Sequence, residues 1–117
     1  MSVSPGKLNL TLSQGATWNV SLTYNDGDGD PINLTGFSAR MQARNFYTSE
    51  STVFDIDSTN DITLGGTAGT IQISVDAATT AAIGAAQYVY DMEIVSGSGE
   101  VTRLIEGTLI VTPEVTR

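Results

Sequence analysis

Apolar side chains recur at every second position along most of this chain, and no other feature limits its fold as strongly. In ATWNVSLTY the large side chains alternate with polar ones from Trp18 to Tyr24, and FSARMQAR and QYVYDMEIVS repeat the pattern. Successive side chains of a β-strand point to opposite faces, so this period is typical of strands with one buried face. The chain is predicted to be all-β, with Trp18 in the core rather than at a binding surface.

Seven or eight segments carry this pattern, and turn signals such as GGTAG separate them. Glycine adopts the positive φ angles that hairpin loops require, so we predict a hairpin loop across residues 65–69. In the last segment the alternation changes phase between Leu104 and Leu109, and a bulge near Gly107 would restore the register. The predicted strands are 7–12, 16–24, 37–44, 53–57, 70–76, 87–96 and 100–112, with a short run, ITL, before GGTAG.

One segment, DAATTAAIGAA at residues 76–86, interrupts the strand pattern. Alanine favours helix and Asp76 is a good N-cap, so we predict one short helix near 76–84. Tyr88 follows this corner, two residues before Tyr90. In immunoglobulin-like sandwiches a tyrosine at that spacing ties the sixth strand to the preceding corner, and the alternative is simply two tyrosines on one face of a strand.

Strands of this number and spacing, with a single short helix, predict an immunoglobulin-like antiparallel β-sandwich of seven or eight strands. No repeat or linker divides the sequence, so we expect residues 1–117 to form a single domain, with residues 1–6 as a flexible or docking N-terminal segment. The third and sixth strands are neighbours in that fold. We therefore expect Arg40 and Arg44 to face the acidic residues of QYVYDMEIVS.

The composition narrows the chemistry that this chain can perform. Its 117 residues include no cysteine and no histidine, which removes disulfides, thiolate metal sites and the commonest general base. The net charge of −8 has the wrong sign for neutralising phosphates. No apolar run approaches the roughly 20 residues that span a bilayer, and the start lacks the pattern of a cleaved signal peptide. We expect a soluble protein that uses no cofactor and binds neither nucleic acid nor membrane.

YNDGDGDPINLTG places Asp26, Asp28 and Asp30 at alternate positions between two apolar runs. This spacing matches the first ligands of an EF-hand calcium loop, but that loop needs glycine at its sixth position and glutamate at its twelfth. Pro31 and Phe37 stand there instead. Asparagine, aspartate, glycine and proline are also typical of tight turns. We predict a turn, and weak calcium binding by the three aspartates stays open.

No catalytic residue is predicted from the remaining patterns. Asp55 and Asp57 share one face of a strand, as paired acid–base carboxylates would, but no neighbouring aromatic cluster indicates a sugar site, and a solvated strand face fits better. GGTAG lacks the lysine and hydroxyl residue of a phosphate-binding loop. Serine and threonine are abundant, yet no base is evident to activate one as a nucleophile.

Phe46 and Tyr47 are adjacent in NFYTSES, a polar segment that follows a predicted strand. Two neighbouring aromatic rings in such a segment cannot both be buried easily, so they are our candidates for a contact surface. On exposure and composition we extend this docking surface to residues 1–10, 45–51 and 97–100.

The order of the motifs is more telling than any one of them. The chain carries, in order, G-x-T-W-x-V-x-L-x-Y, DGDPINLTGFSARMQAR, YVYDMEI and VTRLIEGTLIVTPEVTR. Together they resemble small structural proteins of tailed bacteriophages and prophages, and they are similar to the N-terminal docking domain of phage baseplate upper proteins. The resemblance extends from Gly15 to Arg117.

The resemblance implies an immunoglobulin-like sandwich that binds a virion surface and has no enzymatic activity. It implies major capsid protein or tail and baseplate subunits as partners, many copies per particle, homo-oligomers as an option, and a virion location after synthesis in the bacterial host cytoplasm. Baseplate upper proteins continue beyond this domain, whereas this sequence stops at Arg117, which favours a capsid decoration protein over a tail, neck or baseplate adaptor. A carbohydrate- or host-surface-binding module stays open as an alternative, and a small hydrolase is the least favoured.

Overall fold

The computed structural model describes residues 6–116, which form nine strands, one α-helix and one turn of 3-10 helix. The helix α1 spans Ala77–Ala81, and the 3-10 turn spans Gly66–Ala68. The strands are β1 (Gly6–Lys7), β2 (Leu10–Ser13), β3 (Trp18–Thr23), β4 (Ser38–Arg44), β5 (Phe54–Asp57), β6 (Ile62–Leu64), β7 (Thr70–Val75), β8 (Ala86–Val95) and β9 (Val101–Thr112). Of the predicted N-terminal segment 1–6, only Gly6 lies within the described residues.

The strands form two sheets that enclose one hydrophobic core. In the large sheet β1 and β2 both lie along β9, followed by β8, β4 and β5, and in the small sheet the order is β3, β7, β6. The described chain is therefore an all-β protein with the architecture of a sandwich, as predicted. Most strand pairs are antiparallel, as predicted, and β1 and β2 run parallel to β9.

The core lies between the inward faces of the two sheets, where the alternating residues meet. Met41 and Met92 are partners across β4 and β8, and both are fully buried. Trp18 of the small sheet is only 7% exposed. Its ring meets Phe54 of the large sheet edge-on, with 6.1 Å between ring centroids, and its Nε1 donates a hydrogen bond to the Thr11 carbonyl oxygen at 3.0 Å. The predicted burial of Trp18 is confirmed.

The predicted strand 7–12 is divided in two at Leu8 and Asn9, which raises the number of strands to nine. Asn9 Oδ1 accepts a hydrogen bond from the backbone N–H of Thr108 at 3.1 Å, so a side chain replaces the backbone in the ladder. The Leu8 carbonyl accepts a hydrogen bond from the Tyr90 hydroxyl. These two contacts involve the residues at which the strand is interrupted, between β1 and β2.

The bulge in β9 lies at Leu104 and not near Gly107, so its predicted position is wrong by three residues. The register of β8 against β9 shifts between Met92 and Glu93, which leaves Leu104 without a partner. Glycine is required at position 107 for a steric reason: a Cβ atom there would lie 2.3 Å from the Leu8 carbonyl oxygen. Only glycine permits this close approach of the two backbones.

The helix α1 begins after Asp76, as predicted, but it ends at Ala81 rather than near residue 84. The Asp76 carboxylate accepts a hydrogen bond from the Thr79 backbone N–H at 2.8 Å, which satisfies one of the free donors of the first turn. The chain then leaves the helix so that Ile83 reaches the core, where it is 4% exposed.

Tyr88 ties β8 to the corner before it. Its hydroxyl donates a hydrogen bond to the Gly84 carbonyl oxygen at 2.6 Å, as the spacing of the two tyrosines predicts. Tyr90 occupies a core position and is 3% exposed.

The sandwich has two distinct ends. The helical end carries α1, the turn between β2 and β3 and the connection 45–53. The loop end carries the connections 24–37, 65–69 and 96–100. The strand β3 runs from the helical end to the loop end, and β9 runs in the opposite sense.

Candidate docking surface

The aromatic turn, residues 45–51, follows β4 at the helical end and carries the two most exposed aromatic side chains of the described chain. Phe46 is 71% exposed and Tyr47 is 79% exposed. Neither ring is covered by the large sheet beneath it. The sequence-based prediction that these rings are accessible is confirmed, while their role in binding stays a prediction.

Hydrogen bonds hold the backbone of the aromatic turn in one shape. The Ser49 backbone N–H donates to the Phe46 carbonyl oxygen at 3.0 Å, and the Phe46 N–H donates back to Ser49 Oγ at 3.1 Å. Arg44 Nη1 donates to the Ser49 carbonyl oxygen at 2.9 Å. A surface that is already ordered loses less conformational entropy on binding, so this turn suits a docking role.

The contact of Arg44 with the turn explains why one predicted ion pair forms and the other does not. Arg40 faces Glu93 across β4 and β8, and its Nε lies 2.8 Å from Glu93 Oε1, as predicted. Arg44 faces Val89 instead of an acidic residue, and its guanidinium group binds the turn. The predicted pairing is confirmed for Arg40 and wrong for Arg44.

A shallow depression of about 220 Å³ lies beside Tyr47 on the outer face of the large sheet. Burial raises the pKa of the Asp91 carboxyl, and the nearby Arg103 opposes this rise. Burial also raises the pKa of Tyr90 to about 12. Aromatic, amide, cationic and anionic side chains all lie around this depression. The depression is lined by Gln42, Arg44, Tyr47, Val89, Tyr90, Asp91 and Glu93.

Ion pairs extend from this depression across the outer face of the large sheet. Arg103 lies between Asp91, at 3.5 Å, and Glu106, at 3.7 Å. Lys7 Nζ lies 2.7 Å from Glu106 Oε1, and this hydrogen bond lowers the pKa of the Glu106 carboxyl. Solvent screens exposed pairs of this kind, so they contribute little to stability. The pairs link side chains of β1, β9 and β8 across the large sheet.

The three aspartates of YNDGDGDPINLTG lie in a closed turn at the loop end. Asp26 Oδ1 accepts hydrogen bonds from the backbone N–H groups of Asp28, at 2.9 Å, and Asp30, at 3.0 Å. Asn25 and Pro31 form a β-bridge that closes the loop. The turn interpretation is confirmed. Within residues 6–116 no three acidic side chains are arranged to hold a metal ion, and weak calcium binding stays a prediction.

Asp55 and Asp57 lie on one face of β5 but serve local structure. Asp57 Oδ1 accepts hydrogen bonds from the backbone N–H and the hydroxyl of Thr59, and these lower the pKa of the Asp57 carboxyl. Asp55 lies 3.4 Å from the Gln42 side-chain amide. A general acid needs a raised pKa, and the shift at Asp57 has the opposite direction.

The three segments predicted as one docking surface do not come together. The segment 45–51 follows the end of β4 that pairs with Val89, whereas 97–100 follows Val95 at the other end of β8. Six residues of extended strand separate them by roughly 20 Å. Residues 6–10 run along β9 instead of joining either loop, and residues 1–5 lie outside the described part. The single predicted surface is therefore wrong, and the aromatic turn stands alone at the helical end.

Sequence reasoning missed an apolar groove at the loop end, named here the edge groove. It encloses about 390 Å³ between β3 at the edge of the small sheet and β1 and β9 of the large sheet. An alternating pattern identifies which side chains point inward but not how completely two sheets cover them. The groove is lined by Leu22, Tyr24, Ile71, Leu104 and Ile105, with Gly6, Thr23 and Asn25 at its margin.

None of the protein-family models matches the chain, and none of the curated proteins matches it. No helix in residues 6–116 combines the length and apolarity needed to cross a membrane.

Proposed function

We propose that this chain is a non-enzymatic structural protein of a tailed-phage virion that docks on a larger assembly through the aromatic turn. The single observation that carries the proposal is the exposure of Phe46 and Tyr47 on a turn fixed by hydrogen bonds. Large aromatic side chains on a rigid backbone are typical anchors of protein interfaces. The proposal that this assembly is a virion rests on the order of the sequence motifs, which resembles that of phage structural proteins.

Within that class we favour a capsid decoration protein over a tail, neck or baseplate adaptor. A contact built around two side chains is small, and a small contact binds weakly on its own. Repetition over a symmetric shell converts weak single contacts into lasting attachment. The expected partner is the major capsid protein, with tail or baseplate subunits as the alternative.

We also infer that the sandwich is immunoglobulin-like. The strand order supports this, because β3, β7 and β6 form one sheet, while β9, β8 and β4 form the other with β5 at its edge. This is the division of strands in variable-type immunoglobulin sandwiches. The hydrogen bond from Tyr88 to the Gly84 carbonyl supports it as well.

We further propose that the protein catalyses no reaction. Two of the carboxylates that the sequence analysis considered for chemistry have a structural role: Asp26 and Asp57 accept hydrogen bonds from backbone N–H groups and so close turns. Asp91 lies in an ion pair with Arg103. Catalytic carboxylates need a free oxygen beside a bound substrate.

Co-sedimentation with particles tests the docking role. Tagged chain is added to parent particles that lack it, and the bound fraction is measured after ultracentrifugation. Replacing both Phe46 and Tyr47 by serine is expected to weaken binding at least tenfold, since truncation of an interface anchor costs about 2 kcal/mol or more. Val115→Ser is the matched control, because Val115 is 91% exposed and lies outside the turn. Undiminished binding by the double variant, or no binding by the parent chain, would contradict the proposal.

The depression beside Tyr47 favours a second candidate function, a carbohydrate- or host-surface-binding module. Sugar sites combine an aromatic face with polar groups that accept and donate hydrogen bonds, and Gln42, Arg44 and Asp91 supply such groups here. A glycan array separates the two candidates. Binding to a defined glycan that Tyr47→Ala abolishes and Phe46→Ser leaves intact would favour the module over the virion protein.

A further inference from the structure

The outer edge of β3 is the least protected sheet edge in the described structure. Over residues 6–116, β3 pairs with β7 alone, so about half of its backbone N–H and C=O groups point away from the sheet. Its six residues, WNVSLT, include no charge and no proline. Natural sheet edges are usually protected by charges, proline, bulges or short length.

The other edges carry such protection. The strand β5 has four residues and includes Asp55 and Asp57, and β6 has only three residues. The edge formed by β1 and β2 is interrupted at Leu8 and Asn9. The strand β3 is therefore the one place, among the described edges, where an added strand would find a long and uncharged template.

The edge groove lies directly beside this edge. Leu22 and Tyr24 form its small-sheet wall, and Leu104 and Ile105 form its large-sheet wall; all four are only partly buried. A strand added outside β3 places every second side chain on the face that Leu22 occupies. Those side chains would enter the groove and cover it.

The opposite end of β3 has no comparable opening. There the Trp18 side chain donates its hydrogen bond to the Thr11 carbonyl oxygen of β2, so β2 covers the gap between the sheets. The groove therefore opens beside the half of the edge that includes Leu22 and Thr23.

The acidic residues near the edge groove indicate which kind of segment could bind there. The connection that leaves β3 at the loop end carries Asp26, Asp28 and Asp30, and the chain has a net charge of −8. Lys7, the cation nearest along the sequence to the groove residue Gly6, is held by Glu106 at 2.7 Å. A second copy of this acidic chain would be repelled, whereas lysine or arginine beside the aspartates would be attracted.

We propose that β3 and the edge groove together bind an extended segment of a different protein by strand addition. The segment lies antiparallel to β3, carries apolar residues at alternate positions, and has lysine or arginine at its N-terminal end, beside Asp26–Asp30. The main-chain hydrogen bonds supply affinity, and the groove and the aspartates supply selectivity. This surface is at the loop end, so the proposal is independent of the aromatic turn.

Synthetic peptides test the proposal on the full chain. The probe is a nine-residue peptide that alternates valine and threonine after two N-terminal lysines. Its controls have the same composition in scrambled order, or two glutamates in place of the lysines. Fluorescence anisotropy is expected to show at least tenfold tighter binding of the alternating lysine peptide than of either control. Equal binding of the three peptides would overturn the proposal.

Variants locate the peptide on the protein. Leu22→Lys and Leu104→Lys, on opposite walls of the groove, are each expected to weaken binding at least tenfold, and circular dichroism checks that each variant is folded. The Phe46→Ser/Tyr47→Ser double variant is expected to bind the peptide as the parent does, which separates this proposal from the docking role of the aromatic turn. Unchanged affinity in both folded lysine variants would overturn the assignment.

Two other occupants would also overturn it. Concentration-dependent dimers in analytical ultracentrifugation that Leu22→Lys abolishes would assign the edge to a second copy. Peptide binding that appears only after deletion of residues 1–5 would assign the groove to the start of this chain. Slower amide exchange in β3 on peptide addition, without either effect, is the expected result.

Discussion

The helical end and the loop end of this sandwich are closed by different means. At the helical end, Gln14 Nε2 donates to the Ile83 carbonyl oxygen at 2.8 Å, and Thr80 Oγ1 donates to the Ala16 carbonyl oxygen at 2.8 Å. Thr80 is fully buried. These contacts link α1 and the residues that follow it to the turn before β3, and together they cover this end of the core.

At the loop end the closing layer is incomplete. Leu22, Tyr24, Ile32, Phe37 and Leu104 pack against the core but stay partly exposed. The edge groove enters from one side, and a second depression of about 260 Å³ lies between Tyr24 and the 96–100 connection. The core is therefore covered by α1 at the helical end, while at the loop end part of the apolar core layer stays exposed.

The largest expected effect comes from truncating the same residue type at the two ends of β9. Leu109 is fully buried near the helical end, and Leu104 is partly buried near the loop end. Leu109→Ala should lower the free energy of unfolding by about 2–5 kcal/mol, because it removes contacts and leaves a cavity. Leu104→Ala should lower it by about 1 kcal/mol, since its side chain is already in partial contact with water. Urea unfolding measures both, and equal losses would contradict the difference between the ends.

Removing one hydroxyl at each end is expected to have a smaller effect. Tyr88→Phe loses the hydrogen bond to the Gly84 carbonyl and should lower the free energy of unfolding by about 1–2 kcal/mol. Tyr24→Phe is the matched control at the loop end, where the Tyr24 hydroxyl has no hydrogen-bond partner within the described residues, and it should change stability by less than about 0.5 kcal/mol. Thermal unfolding compares the two, and a larger loss in Tyr24→Phe would reverse the comparison.

The smallest expected effect concerns acid stability at the helical end. Hydrogen bonds from Thr79 lower the pKa of the Asp76 carboxyl below its ordinary value of 3.8. Stability from this group is present above pH 3.8 and is lost as the pH falls through the lower, folded-state pKa. Asp76→Asn keeps an N-cap that does not titrate, so its stability should fall less steeply than that of the parent below pH 3.8. Unfolding midpoints measured across that range check this, and parallel curves would contradict it.

Local patterns predicted those parts of the fold that depend on one strand or one turn. The alternation around Trp18 predicted that its side chain is buried. Asp76 predicted where the helix begins, and the spacing of the two tyrosines predicted the hydrogen bond of Tyr88. The adjacency of β4 and β8 was also predicted, and their register pairs Arg40 with Glu93 but places Arg44 opposite Val89.

Features that depend on two separate segments could not be predicted in this way. The break at Asn9 arises because its side chain accepts the N–H of Thr108, ninety-nine residues away. The bulge at Leu104 depends on where β8 and β9 come into register. The edge groove depends on how far apart the two sheets lie at Leu22, and this separation cannot be inferred from the sequence of any one strand.

The central proposal is that this sandwich is a non-enzymatic component that binds a larger assembly through its surface. Cryo-electron microscopy of purified parent particles tests it most directly. The account predicts density for the sandwich on the particle in many symmetry-related copies, with Phe46 and Tyr47 at the contact. A chain that is abundant in infected cells but absent from purified particles would contradict it.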